Sequence, residues 1–115
     1  MKPLDRDLSI LDHMIAYCDQ IQQTIDRFGN SYEVFSEDVI YRNAVALCIL
    51  QIGELVGKLS DDFRKQYHDI PWRKIKAMRN IVAHSYGTVD AETTWEVITE
   101  DVPRLKQYCE TLKQS

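Results

Sequence analysis

The stretch Ala44-Val45-Ala46-Leu47-Cys48-Ile49-Leu50-Gln51-Ile52-Gly53-Glu54 decides the fold. It is apolar nearly all round at a period of 3.6 residues and lacks the alternation of a strand. It therefore reads as the middle of a helix that neighbours pack against on several sides. Just upstream, Ser36 can cap this helix, with Glu37 and Asp38 in the first turn, where the helix dipole favours carboxylates. The helix is expected to run to about Leu59, as the central element of the protein.

Outward from this centre the pattern stays helical. Leu8, Leu11, Ile15, Cys18, Ile21, Ile25 and Phe28 recur at three- and four-residue steps, which keeps one face of a long first helix buried, and Gly29-Asn30 ends it. Residues 31–35 read as a short turn or helical fragment. On the other side Ser60 opens a short helical piece through about Tyr67. Pro71 suits the first turn of a helix that turns Trp72, Ile75, Met78 and Val82 inward and stops near Tyr86-Gly87. Asp90 is placed to cap the last helix, with Trp95, Ile98, Val102, Leu105, Cys109 and Leu112 as its buried stripe and a kink expected at Pro103. No strand pattern, repeat or low-complexity tract intervenes. The expectation is an all-α protein: an up-and-down helical bundle of about four to five helices, with residues 1–115 forming one domain.

Composition narrows the function classes. An apolar fraction of 44% and a charged fraction of 28% are those of an ordinary globular protein. A net charge of −4 argues against a protein that coats nucleic acid nonspecifically, so any anion site must be local. The start of the chain has no signal-peptide core, and no apolar run approaches the ~20 residues that span a bilayer. A cytoplasmic protein without membrane contact is expected. Cys18, Cys48 and Cys109 are odd in number and far apart within apolar patterns, which suggests buried free thiols rather than disulfides. His13 and His68 have no company that suggests ligation, so neither a metal site nor a cofactor is expected.

The local field turns positive in one place. Between Asp69 and Asp90 there is no acidic residue, yet Arg73, Lys74, Lys76 and Arg79 all fall there. On a helix Arg73, Lys76, Arg79, Asn80, Ala83 and His84 share one arc, opposite Ile75, Met78 and Val82. Such a face suits a phosphodiester: Arg79 to hold phosphate oxygens, Arg73 and Lys76 to attract the RNA backbone, and Asn80 to orient the substrate or the His84 imidazole. His84 can move protons near neutral pH. With an internal 2′-hydroxyl as nucleophile this set can cleave RNA without a metal, leaving a 2′,3′-cyclic phosphate. The reaction needs both a base and an acid, and each chain offers one good proton carrier, so a two-fold dimer that pools two copies of His84 would complete it. The plain alternative is that these are solvated or capping groups at a helix end. Glu54, a carboxylate in the most apolar helix, either is exposed or pairs with the helix that begins near Pro71, with Arg79 as the candidate partner. Trp72 and Trp95 either stack on bases or fill the core.

The run Arg79-Asn80-Ile81-Val82-Ala83-His84-Ser85-Tyr86 resembles the Arg, four residues, His, any residue, Tyr motif of the HepT-like group in the HEPN superfamily. Gln51-Ile52-Gly53-Glu54, Ile70-Pro71-Trp72, and Trp95 with Asp101-Val102-Pro103-Arg104-Leu105 resemble that group's other recurring positions in the same order, so the likeness covers essentially the whole chain. The resemblance implies a homodimeric, metal-independent endoribonuclease that is the toxin of a toxin-antitoxin pair, acting on RNA such as tRNA or mRNA. It implies Arg79 and His84 as catalytic, and Tyr86 as the acceptor of AMP groups from a minimal nucleotidyltransferase antitoxin. Added phosphate would sit beside the cations meant for substrate and silence the site. Two other readings share the fold: a catalytically silent helical dimer that serves as adaptor for the nucleotidyltransferase, and a nucleotide-binding module without turnover.

Overall fold

The structure, a computed structural model, describes the backbone of residues 3–84 and 91–114, and the side chains of residues 5–80 and 91–114. All the secondary structure in it is helical. In chain order come α1 (Pro3–Phe28), α2 (Tyr32–Glu37), α3 (Val39–Lys58), α4 (Asp61–Gln66), α5 (Trp72–His84), α6 (Ala91–Glu96), a π turn (Val97–Asp101) and α7 (Val102–Gln114). The backbone stays right-handed helical on both sides of the π turn, so α6, the π turn and α7 make one rod. Among the described residues the bundle therefore has four long helices and two short ones.

Helix α3 is the centre, packed along its length by α1 on one side and α5 on the other, while α7 closes on α1. Tyr41, Val45, Cys48, Ile49, Ile52, Gly53 and Val56 are its buried residues. They meet Leu11, Met14, Cys18 and Ile21 of α1 and Ile98, Leu105 and Cys109 of the last rod in one continuous core. Each large aliphatic side chain fully buried there contributes roughly 1.5–3 kcal/mol. By length and composition α3 is also, among the described residues, the one helix that could cross a membrane, which corrects the expectation that no run has that length. The wider window passes because it holds only Arg42 and Glu54 as charges. Here α1 and α5 occupy the flanks that lipid would otherwise cover.

Local chemistry explains where the elements start and stop. Gly29 takes a φ of +122°, a conformation open to glycine, and its N–H still donates to the Ile25 carbonyl at 2.8 Å as α1 ends. Residues 32–37 form a true helix, capped by Ser31. The expected cap at Ser36 is corrected: its hydroxyl donates back to the Glu33 carbonyl inside α2, and Asp38 caps α3 instead, accepting from the Ile40 and Tyr41 N–H groups. The reason is tertiary. Phe35 is fully buried against Tyr41 and Trp95, which extends the helical fragment past Ser36 before the chain turns.

Ser60 caps α4 as expected, accepting from the Phe63 N–H at 3.1 Å. It is itself held by Asp7 of α1, whose two carboxylate oxygens accept from the Ser60 N–H at 2.9 Å and the Ser60 hydroxyl at 2.8 Å. Asp7 is 1% exposed, and its hydrogen bonds offset the cost of burying a carboxylate. The disturbance expected at Pro103 takes the form of the π turn: Pro103 has no N–H to give, and ahead of it the Val102 N–H reaches back five residues to the Val97 carbonyl. Trp72 and Ile75 are buried as expected, as is Met78. Val82, the helix stop near Tyr86-Gly87 and the cap at Asp90 fall outside the described residues or their described side chains.

Candidate active site

The cation-rich segment forms α5, and α5 lies against α3 along the side that carries two glycines. Gly53 and Gly57 are one turn apart on α3. A Cβ at Gly53 would stand 2.7 Å from the Arg79 Cβ, so the absent side chain is what lets α5 approach at Arg79. At Gly57 the neighbour is the Lys76 ammonium, at an ordinary 3.8 Å from where a Cβ would be.

This packing splits the arc expected from the sequence. Lys76 and Arg79 lean over the α3 glycines, while Arg73 and Asn80, roughly 80° further round the helix, are exposed to solvent. From its place over Gly53 the Arg79 side chain reaches the next residue of α3: its Nε stands 2.7 Å from the Glu54 Oε1, with the two side chains 47% and 53% exposed. Of the alternatives for Glu54, exposure and pairing with Arg79, the structure has both. The pair engages Arg79 at Nε, one of the five N–H donors of its guanidinium. Lys74 is 3.7 Å from Asp101 of the π turn, and among the described residues Arg73 and Lys76 have no carboxylate partner.

The described backbone of α5 reaches His84, but the His84 side chain and the whole of Tyr86 lie outside what the structure describes. The structure thus brings Glu54, Arg79 and Lys76 together at the α3–α5 seam, with Arg73 and Asn80 beside them. Gly53 was legible in the sequence only as part of a quoted signature. The glycine pair four residues apart inside an apolar helix is the signal that would have marked a close helix contact.

Trp72 belongs to the core, and Trp95, partly buried, packs against it. Trp72 is buried with its indole N–H donating to the Tyr67 carbonyl at 3.1 Å, and Trp95 packs among Tyr32, Phe35 and Tyr41. The three cysteines are buried free thiols. Burial above all pushes Cys18 and Cys109 up to about 12 and raises Cys48, so none is a nucleophile near neutral pH.

A family model described as Ribonuclease HepT-like matches residues 14–112, which takes in every element from the middle of α1 to the end of the core. The chain belongs to the HepT-like family. Its relatives include a protein of Caldanaerobacter subterraneus subsp. tengcongensis, 29% identical over 104 residues that cover 90% of this chain and 91% of the relative. Another, from Methanocaldococcus jannaschii, is 35% identical over 81 residues, 70% of this chain and 67% of its own. Both carry the name "Putative RNase". A third, from Thermococcus cleftensis, is named "Probable ribonuclease HepT" and is 28% identical over 103 residues, 85% of this chain and 94% of that one. No solved structure matches the chain. The seam between α3 and α5 is where the stretch Gln51–Glu54 meets the run that begins at Arg79.

Proposed function

We propose that this protein is a metal-independent endoribonuclease, the toxin of a toxin-antitoxin pair, working as a homodimer. The reading rests on one observation in a chain of this family: Arg79 is fixed over Gly53 and held through Nε by Glu54, at an exposed seam bordered by Arg73 and Lys76. The ribonuclease names of the relatives support the substrate class.

In this reading Glu54 is a positioning residue. A pair half exposed on both sides is worth at most about 1 kcal/mol, so its use is orientation: with Nε engaged, the terminal N–H groups of Arg79 face a phosphodiester and stabilise the charge that builds on its oxygens. His84 of one copy takes the proton from the ribose 2′-hydroxyl, whose oxygen attacks phosphorus. The bond to the 5′-oxygen breaks, and the leaving oxygen takes a proton from the second His84, held as imidazolium. The products are a 2′,3′-cyclic phosphate and a 5′-hydroxyl, with protons and charge balanced and no redox partner. Asn80 steadies the substrate, and Arg73 and Lys76 attract its backbone.

Two-fold pairing has support in α3. Ile40, Leu47 and Glu54 are seven residues apart and so fall on one exposed row of that helix, with Ile40 66% and Leu47 59% exposed. An apolar row that ends at the partner of Arg79 suits a second copy, which would carry the two sites toward each other. For regulation, Tyr86 two residues beyond His84 is the proposed acceptor of AMP from a minimal nucleotidyltransferase antitoxin, and the added phosphate would compete for Arg73, Lys76 and Arg79.

The deciding experiment is a cleavage assay in EDTA on total RNA and on a tRNA pool, comparing the parent with His84→Ala and Arg79→Ala. Parent cleavage with a 10²- to 10⁴-fold loss in His84→Ala is expected, with cyclic phosphate at the 3′ ends. Equal cleavage by parent and His84→Ala overturns the mechanism. For the antitoxin branch, incubation with the nucleotidyltransferase and ATP should add AMP mass that maps to Tyr86 and is lost in Tyr86→Phe.

A further inference from the structure

A second concavity lies on the other flank of α5, away from Glu54. Between the α4–α5 turn and α7 runs a cleft with a cavity volume of about 600 Å³, lined among others by Gln66, Tyr67, Arg104, Gln107 and Tyr108. That volume is within the about 300–1,000 Å³ of small-ligand sites. A narrower pocket continues it toward α5, sharing Arg104 and Tyr108 and ending on Lys74, Met78 and Asp101.

Its lining is unlike that of the α5 cation face. Two cations, Lys74 and Arg104, stand against two carboxylates, Asp69 and Asp101, so the groove has no excess charge with which to collect phosphate. What it offers instead are two half-buried tyrosine rings, two primary amides and one guanidinium. Among the described residues Arg104 has no carboxylate partner. The floor is fixed: Tyr67 packs on Phe63 at a ring separation of 4.8 Å, and its carbonyl accepts from the Trp72 indole. Rings that stack, amides that pair with base edges and a planar guanidinium are what an unstacked nucleobase requires.

Lys74 comes from the same cation-rich segment as Arg79 but lies about 140° round the helix from it, as a wall of the groove. It precedes Arg79 by five residues, about 7.5 Å along the helix axis. A strand whose phosphate lies at Arg79 can therefore cross the exposed Arg73 and Ala77 arc of α5 and enter the groove within a few nucleotides.

We propose that the groove between the α4–α5 turn and α7 is an accessory base-binding subsite for single-stranded RNA, flanking the cleaved phosphate and setting which sequences are cut. The inference rests on the ribonuclease reading above. Arg104 and Tyr108, on the ridge shared by the two pockets, hold the base, and Gln107 reads its edge.

The test uses Arg104→Glu and Gln107→Glu, both at exposed positions, with Tyr108→Ala as a third variant and circular dichroism to confirm folding. Binding of a fluorescent RNA 12-mer with 2′-O-methyl groups, which cannot be cleaved, is measured beside cleavage of a 12-mer and of the dinucleotide UpA. The expected result is a Kd for the 12-mer raised about five- to a hundred-fold in Arg104→Glu, with UpA cleavage equal to the parent's. A 4-thiouridine placed a few nucleotides from the cleavage point should crosslink to a peptide containing residues 104–108. A parent that cleaves and variants that bind the 12-mer as it does would overturn the subsite while leaving the ribonuclease reading intact. A parent that neither binds nor cleaves RNA would overturn both.

Discussion

A Cβ at Gly53 would lie 2.7 Å from the Cβ of Arg79 and 3.4 Å from the Lys76 carbonyl oxygen. Both neighbours belong to the α5 turn that lies against Gly53, so a methyl group there must push α5 off α3. Gly53→Ala is expected to cost about 1–3 kcal/mol in urea unfolding and to reduce RNA cleavage by more than the lost folded fraction, because Arg79 moves relative to Glu54. Gly57→Ala is the contrast: its Cβ meets only the far end of Lys76 at 3.8 Å, and the gain in helix propensity, up to ~1 kcal/mol, should leave it neutral or more stable. Equal destabilisation by the two would remove the special role of Gly53.

The exposed row on α3 makes a prediction about assembly. Leu47→Asp places a carboxylate on a side chain that is 59% exposed, so the fold should hold while a two-fold contact along α3 should not. Light scattering coupled to size exclusion is expected to show a dimeric parent and a monomeric variant, with RNA cleavage falling in step. A monomeric parent would end the dimer proposal.

Asp7 tests the tie between α1 and α4. Its removal in Asp7→Ala leaves the Ser60 N–H and hydroxyl without their acceptors in a partly buried place, at a cost of about 1–3 kcal/mol. The midpoint of urea unfolding should fall with no change in slope. An unchanged midpoint would mean that water replaces the carboxylate freely.

The thiols carry a pH dependence with a defined sign. Cys18 and Cys109 are raised in the folded protein from 9.0 to about 12, mainly by burial, so the folded state holds protons that the unfolded chain gives up. Their contribution to stability is complete below pH 9 and is lost as the pH rises from there toward 12. Urea midpoints measured from pH 8 to 11 should decline over the upper half of that range, and Cys18→Ser with Cys109→Ala should flatten the decline. Native protein at pH 8 should react slowly with a thiol reagent at all three cysteines and rapidly in urea.

Much of this was legible in residue order. The apolar run of residues 44–54 gave the central helix, Gly29 its break, Ser60 its cap and Trp72, Ile75 and Met78 their burial, because each depends on neighbours within a turn or two. Asp38 escaped because Ser36 is an equally good cap on local grounds, and only the burial of Phe35 beneath Trp95 decides between them. The form of the disturbance at Pro103 escaped for a similar reason: a missing N–H predicts a defect, while the wider turn that absorbs it depends on Val97 and Ile98 remaining in the core. At the site, the cation row could be read from spacing, but the groove could not, since Tyr67 and Tyr108 meet only through the packing of α7 beside the α4–α5 turn.

The pairing of the first helix with the last has a consequence for synthesis. Asp7 waits for Ser60, and Asp12 and Asp19 of α1 wait for Lys113 and Lys106 of α7, which pair with them across the bundle. While a ribosome is still making α5, the core that should fix α1 has one wall missing, because α7 has yet to pack on it. A chain with this layout cannot close its core until α7 leaves the exit tunnel, so a product released before then leaves one face of α1 uncovered.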